Sequence, residues 1–331
     1  MPIINPEISV LIPVYNTENY IEKCLTSLFS NTFADKCEFI IVNDCSTDNS
    51  IEIINKTIKY FQNLEKSIIL HNHTKNRGLA AVRNTSMSLA HGKYILFVDS
   101  DDWVEKTYIE SLYNKITESN ADCVICGFFS EFERSKKTKI IIPPRTKNEW
   151  KYIYTDLLSG RMPAYMWNKI FKKSIVDENK IMWQEGLNLW EDFYFVAQFF
   201  FYANTILTVN KPLYHYRKQI SKTITSTMNI EKFNQFTAVL NYITEFLKIK
   251  NIYNQFETNY INLCIKSKII TSRKFSNYNR PYSKLFTETE ISYIKQSRIN
   301  SFIILIAKLI IKQKYQIVNL IYLIVNSIWK Y

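Results

Sequence analysis

The chain has 331 residues, 47% of them hydrophobic, which is enough to bury a full core and excludes global disorder. Its length suits one domain of roughly 220 residues with a smaller appendage. A formal net charge of +12 favours anionic partners. No arginine-rich tract, zinc-finger spacing or aromatic RNA-binding signature accompanies that charge, so nucleotides or an anionic membrane face are better candidates than nucleic acid.

Taken in chain order, short apolar runs alternate with helix-period segments. Ile8–Pro13 reads as a strand and Thr17–Ser30 as a helix with Thr17 as its N-cap. Strands follow at Cys37–Val42, Ser67–His71, Lys93–Val98 and Cys123–Phe129. Helices are expected near Thr47–Phe61, Leu79–Ala90 and Val104–Ser119. This spacing predicts βαβ units: an α/β fold with a mostly parallel sheet covered by helices on both faces. Residues 131–150 are charged and carry Pro143-Pro144, which suits a surface excursion. Residues 151–220 are mixed and rich in aromatics, and from about Ile230 the pattern is almost wholly helical. The predicted division is therefore 1–225 for the main domain and 226–331 for a C-terminal helical region.

The six cysteines are scattered, mostly in apolar segments, and the N-terminus lacks a basic start followed by an apolar run. Both features point to a reduced, cytoplasmic setting with free thiols. Cys123 and Cys126 form a CxxC inside a strand-like run with no second pair, and read as core thiols. No apolar run reaches the roughly 18 residues of a membrane span. The last segment, Ser301–Tyr331, sets Lys308, Lys312, Gln316, Asn319, Asn326 and Lys330 near one helical face, with apolar residues over most of the rest. No acidic residue follows Glu290. Such a helix can lie on an anionic membrane surface, or can pack on protein.

In an open parallel sheet, ligands bind beyond the carboxyl ends of the strands. Here those ends carry Pro13-Val14-Tyr15-Asn16, then Asn43-Asp44, then Asn76-Arg77-Gly78 leading to Arg83-Asn84, then Asp99-Ser100-Asp101-Asp102. Four successive strand ends deliver polar groups to one rim, which is the pattern of a nucleotide site. Three carboxylates within the last four residues repel one another unless they are solvated or neutralised. A hard divalent cation shared with a diphosphate would neutralise them and stabilise the charge of a leaving diphosphate. A solvated acidic turn before the next helix is the other reading. Neither GxxxxGK[ST] nor GxGxxG occurs, which argues against P-loop ATPases and dinucleotide dehydrogenases.

The order PVYN, NDCSTDNS, NRGLAAVRN and YILFVDSDD resembles family 2 glycosyltransferases with the GT-A fold, closely over residues 7–130. Met166-Trp167-Asn168-Lys169-Ile170-Phe171 and Trp190-Glu191-Asp192 resemble the second half of that domain in enzymes that build bacterial surface polysaccharides. The resemblance ends near Arg217. It implies an inverting, metal-dependent transfer of a hexosyl-type sugar from a nucleotide-sugar, with a UDP-sugar favoured. The acceptor would be the hydroxyl of a saccharide or lipid-linked saccharide.

Carried over residue by residue, the resemblance puts Pro13 and Tyr15 beside the nucleobase and gives Asp44 a hydrogen bond to it. Arg83 would stand near the same pocket, Asp99 at the ribose or sugar, and Asp102 behind the metal or at the sugar. Asp101 would bind Mn²⁺ or Mg²⁺. Cys45 departs from the pattern, since a small or acidic residue often follows the Asp. Asp192 would deprotonate the acceptor hydroxyl, and the apolar residues around it in sequence would raise a carboxylate's pKa. Glu191 and Asp192 also suit the start of a helix, where the dipole favours acids. Lys169 and Arg217 are candidates to neutralise a diphosphate or an anionic acceptor. His215 is a candidate metal ligand or stacking residue, although a lone histidine is more often structural.

Two other readings fit parts of the pattern. A sugar nucleotidyltransferase on a related sheet would need a Gly-rich, basic loop where Pro13–Glu18 stands. A catalytically idle partner in a polysaccharide-assembly complex would not need Asp44, Asp99, Asp101 and Asp192 together. The implied location is cytoplasmic, peripheral on the inner face of the membrane.

Overall fold

The computed structural model describes residues 6–133, 135–143, 150–218, 228–272, 285–296 and 302–328, with side chains as far as Ile321. The chain divides into two compact units, one formed by residues 1–157 with 162–220 and the other by 158–161 with 221–331.

The first unit is built on one nine-stranded sheet. Strands β1 (Ile8–Val14), β2 (Cys37–Asn43), β3 (Ile68–Asn72) and β4 (Tyr94–Phe97) run parallel in the order β3-β2-β1-β4. Every residue of β2 is buried, and all of β1 except Pro13. Burial on both faces explains why these strands read as mostly apolar runs, interrupted by Ser9, Glu38 and Asn43, rather than as alternating ones. Helices α1 (Ile21–Phe29), α2 (Ser50–Tyr60) and α3 (Leu79–Ser88) make the crossovers.

A short strand β5 (Trp103–Val104) and helix α4 (Tyr108–Ser119) lead to β6 (Cys123–Phe132) and its hairpin partner β7 (Lys137–Ile141). Beyond α5 (Trp150–Leu158), β8 (Lys169–Lys172) enters antiparallel between β4 and β6. After α6 (Lys173–Glu178) and α7 (Glu191–Tyr202), β9 (Ile206–Lys218) pairs parallel with β6 and antiparallel with β5.

The second unit holds helices α8 (Ile230–Ile249), α9 (Tyr253–Ser272), α10 (Glu288–Gln296), α11 (Phe302–Ile311) and α12 (Tyr315–Ile328). Asn229 caps α8, its side chain accepting from Lys232 N at 2.8 Å. Thr287 and Glu290 form a reciprocal cap on α10. The same Glu290 is paired in the interior with Lys268 at 2.7 Å.

Several expectations need correcting. Thr17 is not a helix cap: α1 starts four residues later, and the Thr17 hydroxyl is buried without a partner. The segment from Val104 begins as a strand because β9 offers it an edge, and helix starts only at Tyr108. Glu131 and Phe132 close β6 and Lys137–Ile141 pair with it as β7 rather than forming a plain excursion, and residues 134 and 144–149 lie outside the described residues. The tail is two helices, not one: Gln313 takes a left-handed φ of +56° between α11 and α12. No helix among the described residues is long and apolar enough to cross a membrane.

One polar knot fixes the start of the sheet. The buried Glu38 carboxylate on β2 accepts from Ser9 Oγ at 2.6 Å, His91 N at 2.6 Å and Gly92 N at 3.0 Å. It thereby ties β1, β2 and the turn before β4. Glu38→Ala strands buried donors without an acceptor, and is expected to lower unfolding free energy in urea by about 3 kcal/mol. Glu38→Gln, which keeps an acceptor oxygen, is expected to cost less.

Candidate active site

The carboxyl ends of β1, β2 and β4 meet at one rim, and the loops there are cross-braced. Asp44 N donates to Val14 O at 2.8 Å, and Thr47 N to Asn16 Oδ1 at 2.8 Å. Tyr15 stands 49% exposed at this edge, while Pro13 is half-buried within β1. Asp44 is nearly enclosed. Its Oδ1 meets His73 Nδ1 at 2.8 Å and accepts from Arg77 N at 2.9 Å, and its Oδ2 accepts from Gly78 N at 2.8 Å. The carboxylate thus organises the turn into α3 whatever else it contacts. Cys45, the departure noted in the sequence, takes a left-handed φ of +60°, a conformation that disfavours a side chain.

Gly78 opens α3 with φ +84°, and a Cβ there would come within 2.6 Å of the Asn188 side chain. That close approach matters because α3 holds the loop before α7. Asn188 Oδ1 accepts from Ala80 N at 3.1 Å. Asn84 exchanges hydrogen bonds with the Trp183 backbone at 2.9 and 3.0 Å. Arg77 pairs with Glu185 at 2.9 Å. The loop ends at Trp190, whose left-handed φ of +67° turns the chain into α7 with Glu191 and Asp192 in the first turn.

Arg83 binds the acidic groups together. From α3 its Nη1 donates to Glu191 Oε1 at 2.6 Å and to Asp192 Oδ1 at 2.5 Å, and its Nη2 stands 4.0 Å from Asp99 Oδ1. It lies among the carboxylates. Burial alone would lower its pKa, but Asp192, Glu191 and Asp99 together raise it. Burial pushes the carboxyl groups of Asp99 and Glu191 up to about 7 against the pull of Arg83, and their acidic neighbours add to the rise.

Asp99, Asp101 and Asp102 face different ways. Asp102 is 1% exposed, its Oδ1 accepting from Arg217 N at 2.7 Å and its Oδ2 from the Tyr214 hydroxyl at 2.8 Å. It fastens β9 to the acidic turn rather than reaching a sugar. Burial, with the charges of Asp101 and Asp99, holds its pKa well above the usual range. Asp101 is partly exposed, and its backbone carbonyl accepts from Arg217 Nε at 2.8 Å. Burial raises its pKa, with Arg217 opposing.

Asp99 and Asp101 offer hard carboxylate oxygens of the type that Mg²⁺ and Mn²⁺ take. Among the described residues no three His, Cys, Asp or Glu are grouped to hold a metal by themselves. The donor set therefore fits an ion whose remaining ligands come from a diphosphate, the usual arrangement for Mg²⁺.

Lys169, expected at the ligand, is beneath the site. It is 0% exposed, and its ammonium donates to Pro163 O, Tyr165 O and Asn168 Oδ1 within 3.1 Å. Burial pushes its pKa down to about 8. Arg217 stays at the rim beside Asp101, its guanidinium 4.6 Å from the Tyr20 ring and 4.9 Å from Trp103. His215 is sandwiched between Trp103 and Phe129, with its nitrogens against Glu131 at 2.8 Å and Glu105 at 2.7 Å. It is a structural histidine here. Cys123 and Cys126 are both fully buried in β6.

Sequence reasoning missed His73, Tyr214 and Asn188. None sits in a chemistry-bearing motif, and only the partners supplied by the fold reveal them.

A doubly covered sheet whose strand ends gather hard carboxylates, with a second half that returns an acidic pair to the same rim, defines a GT-A nucleotide-binding fold. The chain belongs to glycosyl transferase family 2, whose model matches residues 9–178. EpsH of Bacillus subtilis is 36% identical over 223 residues, covering 66% of this chain and 63% of EpsH. TarS of Staphylococcus aureus, a poly(ribitol-phosphate) β-N-acetylglucosaminyltransferase, is 30% identical over 213 residues, covering 63% of this chain and 35% of TarS. The chain thus spans less than two thirds of the length of these relatives. Residues 1–349 of TarS with UDP superpose with a TM-score of 0.60 at 23% identity, covering 87% of this chain and 78% of that one. The mannosyltransferase PcManGT of Pyrobaculum calidifontis, solved with GDP-Man and Mn²⁺, gives 0.55 at 14% identity, covering 99% of this chain and 88% of that one.

Removing the Arg83 guanidinium leaves three buried or half-buried carboxyl groups without their counter-charge. Arg83→Met is expected to destabilise the protein by about 3–5 kcal/mol in urea unfolding. Arg83→Lys keeps the charge without the fork and is expected to fall between.

Proposed function

We propose that this protein is an inverting glycosyltransferase that moves a sugar from a nucleotide-sugar, a UDP-sugar in the first instance, to an acceptor hydroxyl in surface-polysaccharide synthesis. The observation that carries the reading is the convergence of Asp99, Glu191 and Asp192 around Arg83 at the rim, with Asp101 beside Arg217 in the same acidic turn as Asp99. The sugar and polymer class rest on the relatives: TarS glycosylates poly(ribitol-phosphate) by its name and was solved with UDP.

In this reading Tyr15 and Pro13 border the base, and Asp44 shapes the adjoining turn through His73, Arg77 N and Gly78 N. Asp99 meets the ribose or sugar. Asp101 would hold Mn²⁺ or Mg²⁺, which when bound supplies charge to balance the leaving diphosphate. Arg217, beside Asp101, adds a fixed positive charge there. Asp192, 22% exposed and held by Arg83, takes the proton from the attacking hydroxyl. Glu191 is less exposed and steadies the same guanidinium, so the two acids divide positioning from proton transfer.

Titration calorimetry of UDP and GDP, each with and without Mn²⁺, comes first. UDP is expected to bind only with the metal, and Asp101→Ala to abolish that dependence. Asp192→Asn should keep UDP affinity and lower transfer by at least about 100-fold. Failure of a folded protein to bind either nucleotide would remove the enzyme reading and favour an idle partner in an assembly complex.

The acceptor is a saccharide or lipid-linked saccharide, and the helical unit supports peripheral docking on the cytoplasmic membrane face. On α11, Phe302 and Leu305 are 54% and 52% exposed, and Lys312 and Lys314 are exposed in the following turn. The full chain is expected to sediment with phosphatidylglycerol vesicles and not with pure phosphatidylcholine. A juxtamembrane lysine contributes about 1 kcal/mol. Lys312→Glu with Lys314→Glu should therefore weaken that binding by tenfold or more, and equal sedimentation of variant and parent would remove the membrane assignment.

A further inference from the structure

Tyr165 presents aromatic surface to solvent from a rigid stack. Its ring lies 4.8 Å from Trp167 and 13° from parallel, and 6.2 Å from Tyr216. Trp167 stacks in turn on Tyr214 at 4.5 Å and on Tyr216 at 5.1 Å. Trp167 is 3% exposed and Tyr214 wholly buried, yet Tyr165 is 38% exposed. The backbone beneath is fixed with unusual thoroughness. The fully buried Lys169 ammonium holds the carbonyls of Pro163 and Tyr165, and the Tyr108 hydroxyl donates to Trp167 O at 2.7 Å. Burying an ammonium to clamp an exposed loop opposes its own desolvation, so the clamp has a purpose beyond filling space.

The location is specific. Strand β8 runs antiparallel beside β4, so its N-terminal end lies at the rim where β4 delivers Asp99. Tyr165 precedes that end. The rim of β3, β2, β1 and β4 belongs to the nucleotide in the reading above, and Tyr165 stands on the far side of β4 from it. The other end of the stack is tied to the acidic turn, since the Tyr214 hydroxyl donates to Asp102 and accepts from Asp99 N at 3.1 Å. The charge of Asp192 reaches the Tyr165 phenol, whose pKa is raised by burial first and then by that carboxylate.

We propose that the exposed ring of Tyr165, backed by Trp167 and Tyr216, is the platform on which the acceptor's sugar ring stacks. A pyranose has an apolar face that packs on an aromatic ring, and a phenol adds a polar tip for a hydroxyl. A platform at the N-terminal end of β8, beside the end of β4 that delivers Asp99, holds the acceptor at the rim that Asp99 and Asp192 share through Arg83. Tyr165 is then a binding and positioning residue that selects ring-bearing acceptors. This rests on the glycosyltransferase reading and extends it to the acceptor.

The test uses methyl β-glycosides of glucose, galactose and N-acetylglucosamine as probes, at tens of millimolar with saturating UDP and Mn²⁺, and saturation-transfer NMR as the readout. At least one glycoside should bind the parent protein. Tyr165→Ala is expected to weaken it by about tenfold, the scale of one aromatic contact, while Tyr165→Phe stays within about twofold. UDP affinity, measured separately by calorimetry, should be unchanged in both variants, which also reports that they fold. Glycoside binding unaffected by Tyr165→Ala overturns the platform. So does a parent protein that binds UDP but no glycoside, and so does a variant that loses affinity for the intact UDP-sugar instead, which would make the ring a donor contact. Absence of UDP binding by the parent protein is the separate failure of the glycosyltransferase reading.

Discussion

Arg83 stands buried between carboxylates contributed by distant parts of the chain, and its guanidinium is the group that lets them coexist. Glu191 and Asp192 lie 108 and 109 residues away in sequence and share one of its nitrogens, while its other terminal nitrogen faces Asp99. A fork of fixed donors can address two carboxylates at once, which a lysine's point charge does less well. Even so, burial outweighs the attraction enough that Asp99 and Glu191 sit near 7. The rim is therefore an acidic cluster whose carboxyl groups are shifted by burial and by one another, the pattern found at functional sites.

That meeting requires the loop before α7 to reach α3 accurately. The contacts that achieve it come from α3 and the turn before it: Arg77, Gly78, Ala80 and Asn84 each touch the segment between Trp183 and Asn188. The stretch NRGLAAVRN is thus more than a nucleotide-side motif. Ala80, Arg83 and Asn84 fall one helical turn apart on the same face of α3, so the face that docks the second half of the unit also carries the arginine that its acids need. The left-handed Trp190 completes the turn, a conformation a bulky residue adopts only when its surroundings impose it.

The sheet was legible in the sequence because burial on both faces leaves a signature that solvent cannot blur: β1 and β2 are apolar apart from Ser9, Glu38 and Asn43. The rim was legible for a related reason. Polar residues placed directly after such strands have few places to go, and Asp44, Asp99 and Asp101 are where that logic puts them. Direction was not legible. Asp101 and Asp102 are neighbours of one chemical type, yet one faces outward and the other receives the Tyr214 hydroxyl in the interior. Lys169 looked like a ligand contact because a lysine beside a tryptophan and an asparagine carries no mark of being an internal clamp. Partners from β9 and from residues 163–165 decide both cases, and those lie beyond any local pattern.

The same strand shows how topology assigns two tasks to alternating residues. Between β6 and β9, Cys126 faces Val209 but Phe128 faces Tyr214, five residues on where two would be regular. A slip by an odd number exchanges the faces of every later residue. It occurs at Gly127, where a Cβ would come within 2.8 Å of Ile141 O and 3.1 Å of Lys211 O, so the irregularity fits only around a glycine. Beyond it, Tyr214 and Tyr216 turn toward Trp167, while His215 and Arg217 turn toward Trp103. One face of β9 thus completes the aromatic stack that ends at Tyr165, and the other sets a guanidinium against the Asp101 carbonyl. Without the slip, the tyrosines would meet the charged side and the arginine would be driven into the aromatic core. The chemistry of the rim therefore depends on a register change in a strand whose own sequence, PLYHYRK, alternates too evenly to reveal which face is which.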